Sequence, residues 1–171
     1  KGMEVVSVIM EPIQSAGGDH QISSDYANKL RKMTKEMGIY LIIDEVHTGV
    51  AATGKFWAHE WWDLESPPDL VTFSKKFQAS GFFYSDELKQ TIPFRQFNTW
   101  MEDPVRTLIA AEQNDIISRD NLIENANTSG AYFKSQLEEI ARQYPEMMAN
   151  VRGRGLCLAY DIRDLQTRTK I

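Results

Sequence analysis

Residues 39–45 read Ile39-Tyr40-Leu41-Ile42-Ile43-Asp44-Glu45. Five consecutive apolar or aromatic side chains predict a strand buried on both faces. It stops abruptly in two carboxylates. Just before it, Gly38 stands where a helix C-cap is expected. Further upstream, Tyr26, Leu30, Met33 and Met37 recur at helical spacing, with Ser23 or Ser24 as the cap. Before that helix, Val5-Val6-Ser7-Val8-Ile9-Met10 reads as a second buried strand, running into Glu11-Pro12 and the turn-rich Ser15-Ala16-Gly17-Gly18-Asp19. Strand, helix and strand with short connections make a βαβ unit, hence a parallel sheet. Open parallel sheets bind ligands beyond the carboxyl ends of their strands, and Glu11 and Asp44 both fall there.

Downstream, Leu70-Val71-Thr72-Phe73 is a third strand, ending in Ser74-Lys75-Lys76, and Gly81-Phe82-Phe83-Tyr84 is a shorter fourth. Asp103 before Pro104 starts a helix, with Val105, Leu108, Ile109, Glu112 and Ile116 on one face. A second helix fits Asn121 to Tyr144, with a stripe of Ala126, Gly130, Phe133, Leu137, Ile140 and Tyr144. Val151 to Ile162 reads as one Gly-interrupted strand. The fold class is α/β, a mostly parallel sheet with flanking helices.

Composition narrows the function. The 171 residues are 42% apolar and 25% charged, the balance of a globular chain rather than a disordered one. The 24 acidic and 19 basic residues leave a net charge of −5, and no basic block stands out, so nucleic acid is not an expected partner. Apolar runs are only a few residues long, so no membrane-spanning helix is expected. The single cysteine, Cys157, has no internal disulfide partner, and CxxC and paired-His spacings are absent, so no metal site is expected. His20 reads as a surface loop residue and His59 as packing beside Trp57, Trp61 and Trp62. The first residues, Lys1 to Met10, carry neither a signal peptide's apolar region nor an Arg- and Ser-rich transit pattern. A strand begins almost at once, so the chain is expected to be an internal fragment of a longer one.

Asp44 and Lys75 are the strongest chemical pair. A buried carboxylate is costly unless it meets a cation, and a strand-end lysine can be made nucleophilic by burial. A structural ion pair is the alternative on spacing alone.

The run from Ile42 to Glu60, IIDEVHTGVAATGKFWAHE, followed by Pro68-Asp69-Leu70-Val71-Thr72-Phe73-Ser74-Lys75-Lys76, resembles the class III pyridoxal-phosphate-dependent aminotransferases. Within that group it is most similar to the 4-aminobutyrate (GABA) aminotransferases. EPIQSAGGD at Glu11 to Asp19, FNTW at Phe97 to Trp100 and VRGRG at Val151 to Gly155 carry the same likeness, which covers about Val5 to Asp161. The resemblance implies a partial fold type I transferase. Residues 1–104 would belong to the large cofactor domain, 105–150 to a helical linker and 151–171 to the start of a C-terminal subdomain. The cofactor implied is pyridoxal 5'-phosphate, and the reaction is transamination of an ω-amino acid with 2-oxoglutarate as acceptor.

Position by position, the resemblance makes Asp44 the partner of the pyridine nitrogen and packs Val46 against a ring face. Lys75 would hold the cofactor as a Schiff base and then act as general base. Counting from Asp69 favours Lys75; counting back from Gly81 favours Lys76. Thr99 resembles a phosphate ligand donated by a neighbouring subunit, which implies a homodimer with a shared active site, and Phe97 would line the same site. Glu11 resembles a glutamate of the cofactor's hydrogen-bond network. His47 stands where the family usually has a glutamine to the ring oxygen, and Ala16 where 4-aminobutyrate aminotransferases carry a glutamate. These departures favour the alternative of a truncated or non-catalytic relative that binds cofactor weakly or acts by dimerisation. Arg152 and Arg154 read as a charged strand edge. A mitochondrial matrix location is implied by the resemblance alone; the cytoplasm is the other reading.

Overall fold

The computed structural model describes residues 4–164. Positions 1–3, and positions 165–171 of the expected C-terminal subdomain, lie outside the described residues.

The chain opens with strand β1 (Ser7–Met10), the two-residue strands β2 (Ile13–Gln14) and β3 (His20–Gln21), helix α1 (Ser24–Glu36) and strand β4 (Tyr40–Asp44). Strands β5 (Leu70–Phe73) and β6 (Gly81–Tyr84) follow, then helices α2 (Pro104–Arg119) and α3 (Leu122–Gln143), then strands β7 (Met148–Arg154) and β8 (Cys157–Ile162). The main sheet has the order β1-β4-β5-β6. β1 pairs parallel with β4, β4 parallel with β5, and β6 closes the edge antiparallel to β5. The βαβ expectation therefore holds, and the tips of β1, β4 and β5 share one edge.

Helix α1 starts where Ser23 accepts the Tyr26 amide at 3.2 Å, and Gly38, at φ 66°, turns the chain into β4. Its inward face differs from the expected one. Ala27, Leu30, Arg31 and Thr34 are buried, while Tyr26, Met33 and Met37 are exposed. A small alanine lets the helix approach the sheet closely. Arg31 can be buried because Asp69, next to β5, takes its guanidinium with both oxygens at 2.6 and 3.1 Å. Ala27 and Leu30 meet Leu41, Ile43, Val71 and Trp62 in the main core.

Three further corrections concern the C-terminal half. In α2 the buried residue is Ala110, packed with Val50 and Phe77, whereas Val105, Leu108 and Ile109 face outward. In α3, Ala126, Gly130 and Leu137 are buried, but Phe133, Ile140 and Tyr144 are exposed. Residues 151–162 do not form one strand. β7 and β8 pair antiparallel as a hairpin turning at Gly155-Leu156. Gly155, at φ 55°, supplies the left-handed conformation that the turn needs. Gly130 of α3 lies against it: a Cβ on Gly130 would stand 2.1 Å from the Gly155 carbonyl oxygen. No described helix is long and apolar enough to cross a membrane.

Candidate active site

Asp44 closes β4 directly opposite Thr72 of β5. Its Oδ1 accepts the Thr72 hydroxyl at 3.1 Å and the Val46 amide at 3.0 Å. Both donors converge on one oxygen, so Oδ2 has no hydrogen-bond partner among the described residues. The side chain is half-buried. A carboxylate held this way is oriented by its scaffold yet keeps one oxygen to offer.

The turn after Asp44 is tied down on its other side. The Glu45 amide donates to the Thr72 carbonyl at 3.0 Å, and Gly49 donates back to the Glu45 carbonyl at 2.9 Å. The Glu45 side chain, 1% exposed, accepts the Thr48 hydroxyl, the His59 amide at 2.8 Å and the His59 Nδ1 at 2.8 Å. Because a carboxylate only accepts, Nδ1 carries the proton. His59 is thus fastened to Glu45, a contact beyond the expected packing beside the tryptophans. Beyond the turn, Val50 and Ala51 lie at φ 65° and 68°, their amides donating to the Phe56 carbonyl at 2.7 and 3.2 Å. From the C-terminal half, the Asn127 amide group donates to the Gly54 carbonyl at 3.0 Å and the Leu156 amide to the Ala52 carbonyl at 2.8 Å.

The two lysines part company at the end of β5. Both sit in a single 3-10 turn over Lys75–Phe77, so strand alternation does not govern them. Lys75 takes φ 48°, and its side chain is exposed with no hydrogen bond among the described residues. Lys76 is half-buried, and its ammonium donates to the carbonyl of His47. Its own carbonyl accepts the Gln113 side chain of α2 at 2.7 Å, and the next residue, Phe77, is buried beside Val50 and Ala110. Lys76 therefore reaches the turn whose Val46 amide orients Asp44.

Glu11 is half-buried one residue past the registered pair Met10–Ile43, on the same sheet edge as Asp44. Val46 is half-buried in the turn and His47 exposed, its carbonyl rather than its ring engaged by Lys76. Thr99 and Phe97 lie in an exposed stretch between β6 and α2, and no hydrogen bond ties Thr99 to the β4–β5 tips. Arg152 lies on β7. It donates to the carbonyls of Gly18 at 2.7 Å and Asp19 at 3.2 Å while pairing with Asp161 at 2.8 Å, which docks the hairpin on the turn holding Ala16. Arg154 stacks over the Trp61 ring at 4.7 Å. At the start of β8, burial pushes the Cys157 thiol's pKa up, and the nearby Lys76 charge offsets this only in part.

Pyridoxal phosphate asks of a site an anionic partner for its ring nitrogen and an amine for its aldehyde. The free Oδ2 of Asp44 fits the first demand, and the Lys76 amine, held to the adjoining turn, fits the second. Sequence reasoning singled out Asp44 and preferred Lys75, with Lys76 as its rival, and missed Glu45 as an anchor. Its only signal was a second acid next to the first.

Residues 1–171 match the aminotransferase class-III family. Relatives include the 4-aminobutyrate aminotransferase of Emericella nidulans, 51% identical over 88% of this chain and 30% of that protein. The mitochondrial 4-aminobutyrate aminotransferase of Sus scrofa is 43% identical over all of this chain and 34% of its own length. The chain thus spans about a third of these relatives. Among solved structures, a lysine aminotransferase from M. tuberculosis superposes with a TM-score of 0.87 at 30% identity, covering 95% of this chain and 38% of that one.

Proposed function

The chain belongs to the class III aminotransferases, and from that premise we propose that it forms the central part of the cofactor site of an ω-amino-acid transaminase. The proposed donor is 4-aminobutyrate and the acceptor 2-oxoglutarate. One observation carries the reading: Asp44 and Lys76, from two neighbouring strand tips, are both bonded to the single turn at 45–49.

Asp44 would hold the ring nitrogen through Oδ2, with Oδ1 already committed to Thr72 and Val46. Lys76, rather than Lys75, would hold the cofactor covalently. When bound, pyridoxal phosphate supplies an electron-withdrawing ring that stabilises negative charge at a substrate carbon. An ionised Asp44 would keep that ring's nitrogen protonated, and the Lys76 amine would serve as the base that accepts and returns a proton. Val46 would pack on the ring, while Glu11 and His47 stand at the same edge. Thr99 would act across a homodimer interface, a role to which its exposed segment is suited. We place residues 1–104 in a large domain, 105–150 in a linker and 151–171 in a C-terminal subdomain. A mitochondrial location follows the same line. His47 and Ala16 support the second reading, a weakly binding relative without turnover.

The test is an amino-donor screen of the full chain loaded with pyridoxal phosphate. Turnover of 4-aminobutyrate with 2-oxoglutarate, abolished in Lys76→Ala, is expected. Retained cofactor with no turnover of any ω-amino acid supports the second reading.

A further inference from the structure

We infer that Glu45 is a positioning residue for the cofactor site, its buried carboxylate holding the turn that aims Asp44 and receives Lys76; this deepens the proposed function and rests on it. The Glu45 carboxylate is engaged by His59 of the 3-10 helix at Ala58–Trp62. Its three donors are the Thr48 hydroxyl within the turn and the amide and ring of His59 outside it. The carboxylate thus bolts the turn to an element that is itself in the core, since Trp62 packs with Leu41, Ile43 and Val71.

Two functional contacts depend on that turn. The Val46 amide, one residue on from Glu45, orients the Asp44 carboxylate. The His47 carbonyl, two residues on, accepts the Lys76 ammonium. Without the side chain of Glu45, the Thr48 hydroxyl and two His59 donors are left in a dry site without their acceptor, and such unpaired groups drive rearrangement. The adjacent carbonyl and amide move with the turn. Misplacing an oriented group by about 1 Å is enough to cost a large factor in a reaction.

Glu45→Ala, Glu45→Gln and Thr48→Val are compared with the unmutated full chain. Amide hydrogen exchange at Val46 is read without cofactor, and the dissociation constant for pyridoxal phosphate is read by equilibrium dialysis. Glu45→Ala is expected to speed Val46 exchange and to weaken cofactor retention, each by about tenfold or more. Glu45→Gln, which keeps an acceptor oxygen for His59, is expected to restore both to within about threefold. Thr48→Val, close in shape to threonine, gives the smaller loss of one donor and carries the test if Glu45→Ala fails to fold. Unchanged Val46 exchange in every folded variant overturns the inference. Faster exchange with unchanged retention also overturns it, leaving Glu45 a stability residue alone. An unmutated chain that retains no pyridoxal phosphate counts against the proposed function instead, and the exchange comparison still decides whether Glu45 holds the turn.

Discussion

Asp69 accepts two hydrogen bonds from Arg31 and a third from the Leu41 amide at 2.7 Å. Burial works to raise its pKa, but the Arg31 and Leu41 hydrogen bonds and the Arg31 charge outweigh it and hold the carboxyl below its ordinary 3.8. A depressed folded pKa means stability that is fully present above the unfolded value and lost as pH falls through the folded one. Asp69→Asn should therefore cost about 3 kcal/mol at neutral pH by stranding Arg31, with the gap to wild type narrowing below about pH 4. Urea midpoints at pH 7 and pH 3 check this. Ala51, at φ 68°, is held where an alanine side chain is strained. Ala51→Gly should gain up to about 1 kcal/mol, read as a shift in the same midpoint. At this scale the strand-end acid and amines were legible, because short apolar runs ending in charge are a local signal. The environments of Lys75 and Lys76 were not, since both lie in a 3-10 turn rather than in a strand. The Glu45–His59 contact was also hidden, because it closes only when the loop between them folds back.

The strands β1, β4, β5 and β6 were each readable from apolar runs, and Asp103-Pro104 marked the start of α2 correctly. Helix faces were harder to read. Periodic hydrophobicity picked Tyr26 and Met33 for α1, whereas the sheet takes Ala27 and Arg31. Small residues and a paired arginine score poorly as core, yet close approach and a buried carboxylate make them fit. The hairpin β7–β8 was mistaken for one strand because Gly153 and Gly155 looked like interruptions, although Gly155 forms the turn. The contact between α3 and that turn is the element-scale test. Gly130→Ala places a methyl group against the Gly155 backbone and should destabilise the chain by about 1–3 kcal/mol. A calorimetric melting scan beside Ala131→Gly, on the exposed side of α3, separates this clash from the helix propensity change.

Among the described residues, several large apolar side chains are exposed. Phe94 is 89% exposed, Trp100 80% and Phe97 75%, followed in the chain by exposed Val105 and Leu108 on α2. Exposed apolar side chains of this kind are suited to burial against another surface. The proposed homodimer would bury this segment, which also carries Thr99. The full chain should sediment as a dimer, and Leu108→Glu should shift it towards monomer by about tenfold or more in dissociation constant. The direct test of the central claim is borohydride reduction of the full chain with bound pyridoxal phosphate, followed by peptide mass mapping. The label is predicted on Lys76 and lost in Lys76→Ala, with Lys75→Ala labelled as in wild type. A label on Lys75, or none on a folded chain supplied with cofactor, would contradict it.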